Sequence, residues 1–398
     1  MIVGRDELVD LILRRLRKPK ANSILLMAER RVGKTTVLEL IRERSKEGFF
    51  SVYIDLEGIS SATEFVERLV DAIRPVLSNK FKAKDGLAGF MKSLGGSEIG
   101  GVYKFPDAPG GGWKNILQKV FQEVQLEEEQ KLMLLLDELP YMLQKIAAFS
   151  DSGTQDALDV LDSLRSLRKS HSLTLRMVFA GSIGLHHVLQ ELRGSKFPSE
   201  PVNDTDSYQV EPLTVKYAEE LARHLLLEEG VNAEPDLVSA IARLGDRVPF
   251  YIERIVLRLA EKSQTPTVAV AEALVQAKLS DAQDDWEMEH FRNRMPIYYP
   301  GEIETADAGA PLPKHRVAIE ILDSLALSEE PKSINEVWEG LKGRMSLADD
   351  KRQVVLEMLK NLAADHYLAA DASSGVLRYA FRFPLVRRWW ILAQGLEG

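Results

Sequence analysis

Residues 23 to 41 read SILLMAERRVGKTTVLELI. Ser23 to Met27 is a short apolar run, Ala28 to Thr36 is mostly polar around Gly33, and Val37 to Ile41 returns to apolar residues at helical spacing. The order is strand, loop, helix.

A loop in that position can wrap an anion. The wrapping needs backbone N–H groups, a glycine where a side chain would block them, a lysine for the outer phosphates and a hydroxyl for Mg²⁺. Gly33, Lys34 and Thr35 supply these in order, and Arg31, Val32, Gly33, Lys34, Thr35 and Thr36 are the candidate nucleotide-binding residues. The leading glycine of the usual pattern is replaced by Ala28, which would be strained if that position needs a positive φ. The bland alternative is a chance Gly-Lys-Thr at a helix start; the flanking strand and helix favour the phosphate reading.

Three further apolar runs have the length of buried parallel strands: Phe49 to Ile54, Leu132 to Leu136 and Leu175 to Ala180, with a weaker one at Ser207 to Val210. Helical patterns lie between them, as in Ala62 to Val76 and Asp156 to Arg168, and another precedes them from Arg5 to Arg17. Alternation of this kind predicts a doubly wound parallel sheet with ligands at the carboxyl ends of its strands. Two of those ends carry chemistry. Leu132 to Leu136 runs into Asp137 and Glu138, an acid suited to a metal's water shell and a second suited to polarising an attacking water. Their bland reading is a polar strand end with Asp137 capping a helix. Leu175 to Ala180 runs into Gly181-Ser182, where Ser182 either senses a γ-phosphate or is a small residue at a turn. Expected roles are therefore catalytic for Glu138, Lys34 and Ser182, and metal-binding for Thr35 and Asp137.

Elsewhere the rhythm changes. Lys84 to Trp113 is scattered with glycines, and Ile99 to Phe105 within it reads equally as a hairpin or an exposed loop. Val215 to about Leu279 is helical, broken at Gly230 and around Gly245 to Pro249. His290 to Pro313 is rich in Pro, Gly and Tyr and reads as a connector. Beyond it, helical stretches at Val317 to Leu327, Ile334 to Met345 and Lys351 to Ala364 lead into a β-rich tail, Tyr367 to Phe383, the pattern of a winged helix.

Composition narrows the function classes. The 398 residues exceed one ordinary core, and a 45% apolar fraction supports packed domains. With no cysteine, disulfides, thiolate metal sites and a cysteine nucleophile are excluded. Arg5, Asp6 and Glu7 interrupt any signal-peptide core, and no uncharged stretch reaches the roughly 18 residues of a membrane span. A cytoplasmic, non-membrane protein is expected. A net charge of −9 argues against bulk electrostatic coating of nucleic acid.

These motifs resemble the archaeal-type AAA ATPases of the signal-transduction (STAND) class, whose phosphate loops carry an Arg-Arg-x-Gly-Lys-Thr core, here Arg30 to Thr35. Val3-Gly4-Arg5 is similar to the family's N-terminal motif, which implies that Gly4 and Arg5 lie against the adenine. Tyr53 to Glu57 is similar to its second strand, Asp137-Glu138 to its acidic strand end, and Gly181-Ser182 to its sensor strand. Gly245 to Phe250 resembles its Gly-x-x-Pro element with one extra residue, which implies that Pro249 closes on the base. Tyr379 to Trp390 is similar to the end of its winged helix. The segment Pro201 to Ser207 lacks the arginine many relatives carry, leaving Arg176 and Arg193 as nearby finger candidates.

The resemblance implies an α/β P-loop NTPase core of three layers with a parallel sheet at 1–212, a helical lid at 213–285, a linker at 286–314 and a winged-helix domain at 315–398. It also implies ATP or ADP with Mg²⁺ as cofactors, and an ATPase switch acting on a protein partner, with a homo-oligomer possible. The alternatives are a DNA-associated ATPase of the origin-recognition or transposition-regulator kind, and a nucleotide-clamped scaffold with little turnover. From His315 to Gly398 there are 11 Lys and Arg against 12 Asp and Glu, so a nucleic-acid footprint is lacking and a protein contact is favoured over DNA. Arg378, Arg382, Arg387 and Arg388 with Trp389 and Trp390 are the counterargument.

Overall fold

The computed structural model describes the chain apart from residues 1, 81–83, 107–111, 128, 151, 182–184, 186–187, 190–191, 193–203, 263–264, 282, 306–310 and 398. It divides into two compact units, Gly4–Glu211 and Pro212–Gly398.

In the first unit, β1 (Ser23–Met27), β2 (Phe49–Asp55), β5 (Lys131–Asp137), β6 (Leu175–Gly181) and β7 (Thr205–Gln209) form one five-stranded sheet in the order β2-β5-β6-β1-β7, every neighbouring pair parallel. A parallel sheet needs long crossovers, and among the described residues these are helical, so both faces are covered. Leu132, Leu134 and Leu136 of β5 join Leu175, Met177 and Phe179 of β6 in one cluster with the helices α3 (Ala62–Lys80), α5 (Gly112–Gln122), α6 (Leu139–Phe149) and α7 (Gly153–Ser170). The alternate residues Met133, Leu135, Val178 and Ala180 are buried outside that cluster, while α1 (Asp6–Leu16) packs on α2 (Lys34–Arg44). Burial on both faces is why these strands read as unbroken apolar runs.

The glycine-scattered stretch contains a helix, α4 (Lys84–Ser93), and a true hairpin, β3 (Ser97–Ile99) with β4 (Val102–Lys104), turning at Gly100 and Gly101 with φ of 61° and 84°. Buried Glu67 of α3 pins it, accepting from Phe105 N at 2.8 Å and Lys104 Nζ at 2.6 Å. Arg74 adds a bond to the Gly101 carbonyl at 2.7 Å and lies over the Tyr103 ring.

Arg176 corrects an expectation. It is 2% exposed, and its guanidinium donates to the carbonyls of Leu16, Lys18, Pro19, Ser172 and Leu175. It sits at the amino-terminal end of β6, the sheet edge away from the phosphate loop, where it satisfies carbonyls at the end of α1. An arginine held by five carbonyls is not a mobile finger. Arg193, the other candidate, lies outside the described residues.

The second unit opens with the helices Val215–Glu228, Pro235–Leu244, Pro249–Ala260 and Val268–Leu279. The Pro- and Tyr-rich stretch that follows is packed: Trp286, Phe291, Met295, Tyr298 and Tyr299 are all buried. Arg294 lies over the Tyr367 ring at 4.3 Å and donates to its hydroxyl at 2.5 Å, and Tyr299 donates to Asp365 at 2.8 Å. Three helices come next, Lys314–Ala326, Ile334–Arg344 and Arg352–Ala364, with a three-stranded antiparallel sheet of Lys332–Ser333, Arg378–Phe381 and Leu368–Asp371 in spatial order. The chain then forms a helix, Pro384–Gln394, beyond the β-rich tail that the sequence suggests.

That helix resolves the basic and aromatic cluster. Trp389 and Trp390 are 4% and 0% exposed, and Trp390 Nε1 donates to Asp323 at 2.7 Å. Arg387 donates to the Ala326 carbonyl at 2.8 Å, and Arg378 to the Pro331 carbonyl at 2.8 Å and to Glu336 at 3.1 Å. These tryptophans are core residues, with their faces closed to a stacking base. The start of the same helix is capped from a distance: Asp246, at φ 52° in the turn Gly245 to Val248, accepts from Leu385 N at 2.6 Å.

Burial raises the Asp246 carboxyl to about 7, against the opposing pull of the Leu385 bond, Arg388 and Arg247. A carboxyl raised on folding contributes stability that is complete below its unfolded value and is lost as pH climbs through the folded one. Wild type should therefore lose melting temperature relative to Asp246→Asn between about pH 4 and pH 8, since the amide still accepts from Leu385 and does not titrate. Paired thermal melts across that window check this; parallel curves would refute it.

Candidate functional site

β1 ends at Met27, and the loop that follows turns into α2 at Lys34. Two of its residues are left-handed, Arg31 at φ 70° and Gly33 at φ 103°. Ala28 is not among the positive-φ residues and is 2% exposed, so the absent leading glycine carries no strain. The left-handed turn falls instead on Arg31, at a cost of about 1 kcal/mol for a residue with a Cβ. Gly33 has room for a Cβ, whose nearest neighbour would be Arg5 Nη2 at 3.7 Å; its φ is what calls for glycine.

Arg5 offsets that strain. It is buried, and it donates from Nη2 to the Val32 carbonyl at 2.5 Å and from Nη1 to the Glu211 carbonyl at 2.7 Å. The N-terminal motif thus braces the phosphate loop from behind and ties it to the last residue of the first unit. Gly4 before it takes φ 67°. Within the loop, buried Glu29 accepts from Arg30 N at 2.8 Å.

The acidic strand end meets this loop. Parallel register places Asp137 opposite Asp55 on β2, at the carboxyl edge where β1 also ends. Thr35 Oγ1 donates to Asp137 Oδ2 at 3.0 Å, and Lys34 Nζ lies 3.5 Å from Glu138 Oε1. Glu138 is left-handed (φ 57°), which turns β5 sharply into α6, and its N–H donates to Asp137 Oδ1 at 3.0 Å. The helix starts with Pro140 in its first turn, where a missing N–H is harmless.

The charges are held under strain. Burial pushes the Lys34 ammonium below the ordinary lysine range, while Glu138, Asp137 and Glu29 pull it back. Burial and the neighbouring Glu138 push the Asp137 carboxyl up, opposed by Lys34 and by hydrogen bonds from Thr35 and Tyr53. Tyr53 OH donates to Asp137 Oδ2 at 3.1 Å, and burial followed by the Asp137 charge drives its own pKa upward. Tyr53 was not recognisable as a site residue from the sequence, because its role depends on β2 lying beside β5. The donor set of Thr35 and Asp137, hard oxygens backed by a loop of N–H groups, fits Mg²⁺ arriving with a polyphosphate.

The structure therefore brings Arg31, Val32, Gly33, Lys34, Thr35, Thr36, Asp137 and Glu138 together, with Gly4 and Arg5 behind them. Pro249 belongs to the second unit, at the first position of its helix. Ser182 lies outside the described residues.

A five-stranded parallel sheet with an anion-ready loop after one strand and acids after another is the α/β core of a P-loop NTPase. Residues 17–189 match the family model described as an AAA domain. No curated protein matches the chain. Among solved structures, the Walker-type ATPase of Pyrococcus abyssi aligns with 98% of this chain and 96% of its own at 15% identity and a TM-score of 0.63, which speaks for the fold alone. The ORC2 protein of Aeropyrum pernix, in its ADPNP-ADP complexes, aligns at 12% identity and a TM-score of 0.48, covering 98% of this chain and 92% of that one. The Thermotoga maritima RuvB Holliday junction branch migration motor aligns at 13% and 0.39, covering 94% and 90%. These two looser likenesses carry no argument.

Arg5→Ala should cost about 1–3 kcal/mol, because it strands the buried Val32 carbonyl and removes the bond to Glu211. Urea denaturation measures it; a loss below about 0.5 kcal/mol, the level of an ordinary surface change, would show that the brace is idle.

Proposed function

We propose that the chain is a magnesium-dependent ATPase of the STAND class that works as a switch, binding ATP in its first unit and passing the nucleotide state to a protein partner. The observation that carries this reading is the convergence of Lys34, Thr35, Asp137 and Glu138 on one point beside a braced loop, with Thr35 to Asp137 at 3.0 Å and Lys34 to Glu138 at 3.5 Å.

In this reading the loop N–H groups and the Lys34 ammonium hold the β- and γ-phosphates. Thr35 and Asp137 would hold Mg²⁺. When bound, the ion neutralises charge on the phosphates and on the departing oxygen. Phosphates drawn to Lys34 compete for the ammonium that Glu138 now faces, which frees Glu138 to orient and polarise the attacking water. Ser182 as sensor, Gly4 and Arg5 beside the base, and Pro249 as lid contact rest on the family resemblance.

Residues 213–285 then act as the lid, 286–314 as the connection and 315–398 as a winged-helix domain that meets the partner. The buried Trp389 and Trp390, with Arg387 bonded to the Ala326 carbonyl and Arg378 of the preceding strand to Glu336, support a protein contact over a duplex. A cytoplasmic location accords with the absence, among the described residues, of any helix long and apolar enough to cross a membrane.

Calorimetry with MgATP should give binding that Lys34→Ala weakens by about 100-fold, the loss of a charge-assisted contact to phosphate. Glu138→Gln should bind like wild type and turn over about 100-fold or more slowly. Binding unchanged in Lys34→Ala would sink the assignment. Turnover stimulated by duplex DNA, and by no protein, would move the reading to a DNA-associated ATPase.

A further inference from the structure

Asp137 is held from three sides. Oδ1 accepts the Glu138 N–H at 3.0 Å, and Oδ2 accepts both Thr35 Oγ1 at 3.0 Å and Tyr53 OH at 3.1 Å. The carboxylate is 3% exposed, so water is a poor substitute for any of these donors. The three differ in how firmly they are placed. Thr35 stands in the first turn of α2, and its hydroxyl must turn a lone pair to a cation when one arrives. The Glu138 N–H fixes only the oxygen on the far side. Tyr53 is a rigid ring on a central stretch of β2, in register with Leu135 two positions before Asp137. It is the one donor on Oδ2 that owes nothing to the ligand.

We infer that Tyr53 is a positioning residue for magnesium: its hydroxyl holds the Asp137 carboxylate in the orientation that receives the ion's water shell, and so sets the metal dependence of nucleotide binding. This rests on the magnesium-nucleotide reading of the same site. Outer partners of metal-holding carboxylates commonly change metal affinity by about 10–100-fold when removed. The hydroxyl of Tyr53 donates to Asp137 and not to a loop residue, so its effect should appear in the metal and not in the nucleotide.

The test is a fluorescence titration of an ATP analogue with wild type, Tyr53→Phe, Asp137→Ala and the double variant, each in EDTA and over a series of Mg²⁺ concentrations. Tyr53→Phe should need roughly 10-fold more Mg²⁺ for half-saturation, with affinity in EDTA within about twofold of wild type. In the Asp137→Ala background the same change should add nothing further, because Tyr53 acts through that carboxylate. An unchanged Mg²⁺ dependence, an equal loss in EDTA, or an undiminished effect in the Asp137→Ala background would each overturn the inference. So would a Tyr53→Phe chain that fails to fold, since the hydroxyl would then serve the fold. Failure of wild type to bind the analogue at all would strike the reading of the site itself, and it would show before any variant is made.

Discussion

Lys34 and the strand-end acids are buried together, and the rest of the first unit is arranged to make that tolerable. A lysine with 5% of its side chain exposed, 3.5 Å from Glu138 and within the field of Asp137 and Glu29, has lost most of its water. Burying like-signed carboxylates side by side is costly unless each has its own donors. The structure supplies them: Thr35, Tyr53 and a backbone N–H for Asp137, the ammonium for Glu138, and Arg30 N for Glu29.

Much of this was legible in the sequence, and what was not has a common cause. β1, β5 and β6 are buried on both faces, so each appears as an apolar run, and β2, an edge strand with half-buried residues, still carries enough apolar residues for its limits to be readable to within a residue or two. β7 is half exposed at the sheet edge, so Thr205–Gln209 carries little apolar signal and its span was displaced toward Val210. The loop, the lysine and the acid pair are local patterns, visible without tertiary knowledge. Tyr53 is not local: nothing in its neighbours says that β2 lies beside β5, and without that adjacency its hydroxyl has no reason to matter. Arg5 reads from its neighbours only as a charge in an amphipathic start and enters the site through the family resemblance; its bracing role was not visible, because its partners stand 27 and 206 positions away.

The second unit shows the opposite failure. Pro, Gly and Tyr between 290 and 313 look like a spacer because such residues break regular structure, yet aromatic side chains bury large areas wherever a partner is available. Arg294 and Tyr367 provide that partner, so the aromatic side chains from Trp286 to Tyr299 are packed. The final helix was hidden for a related reason: Arg387 to Trp390 sets two charges beside two bulky rings, which suggests a surface patch. Only the structure shows Asp323 and Ala326 waiting for them.

The phosphate loop has one more property, which follows from its single glycine. A chain rich in glycine samples many shapes and must surrender them all when it closes on a ligand, whereas Ala28 to Val32 have Cβ atoms and a narrower repertoire. With Arg31 already in its uncommon conformation and Val32 held by Arg5, the cradle is set before any guest arrives. Such preorganisation lowers the entropic toll of capture, so more of the contact energy with a guest is kept as affinity.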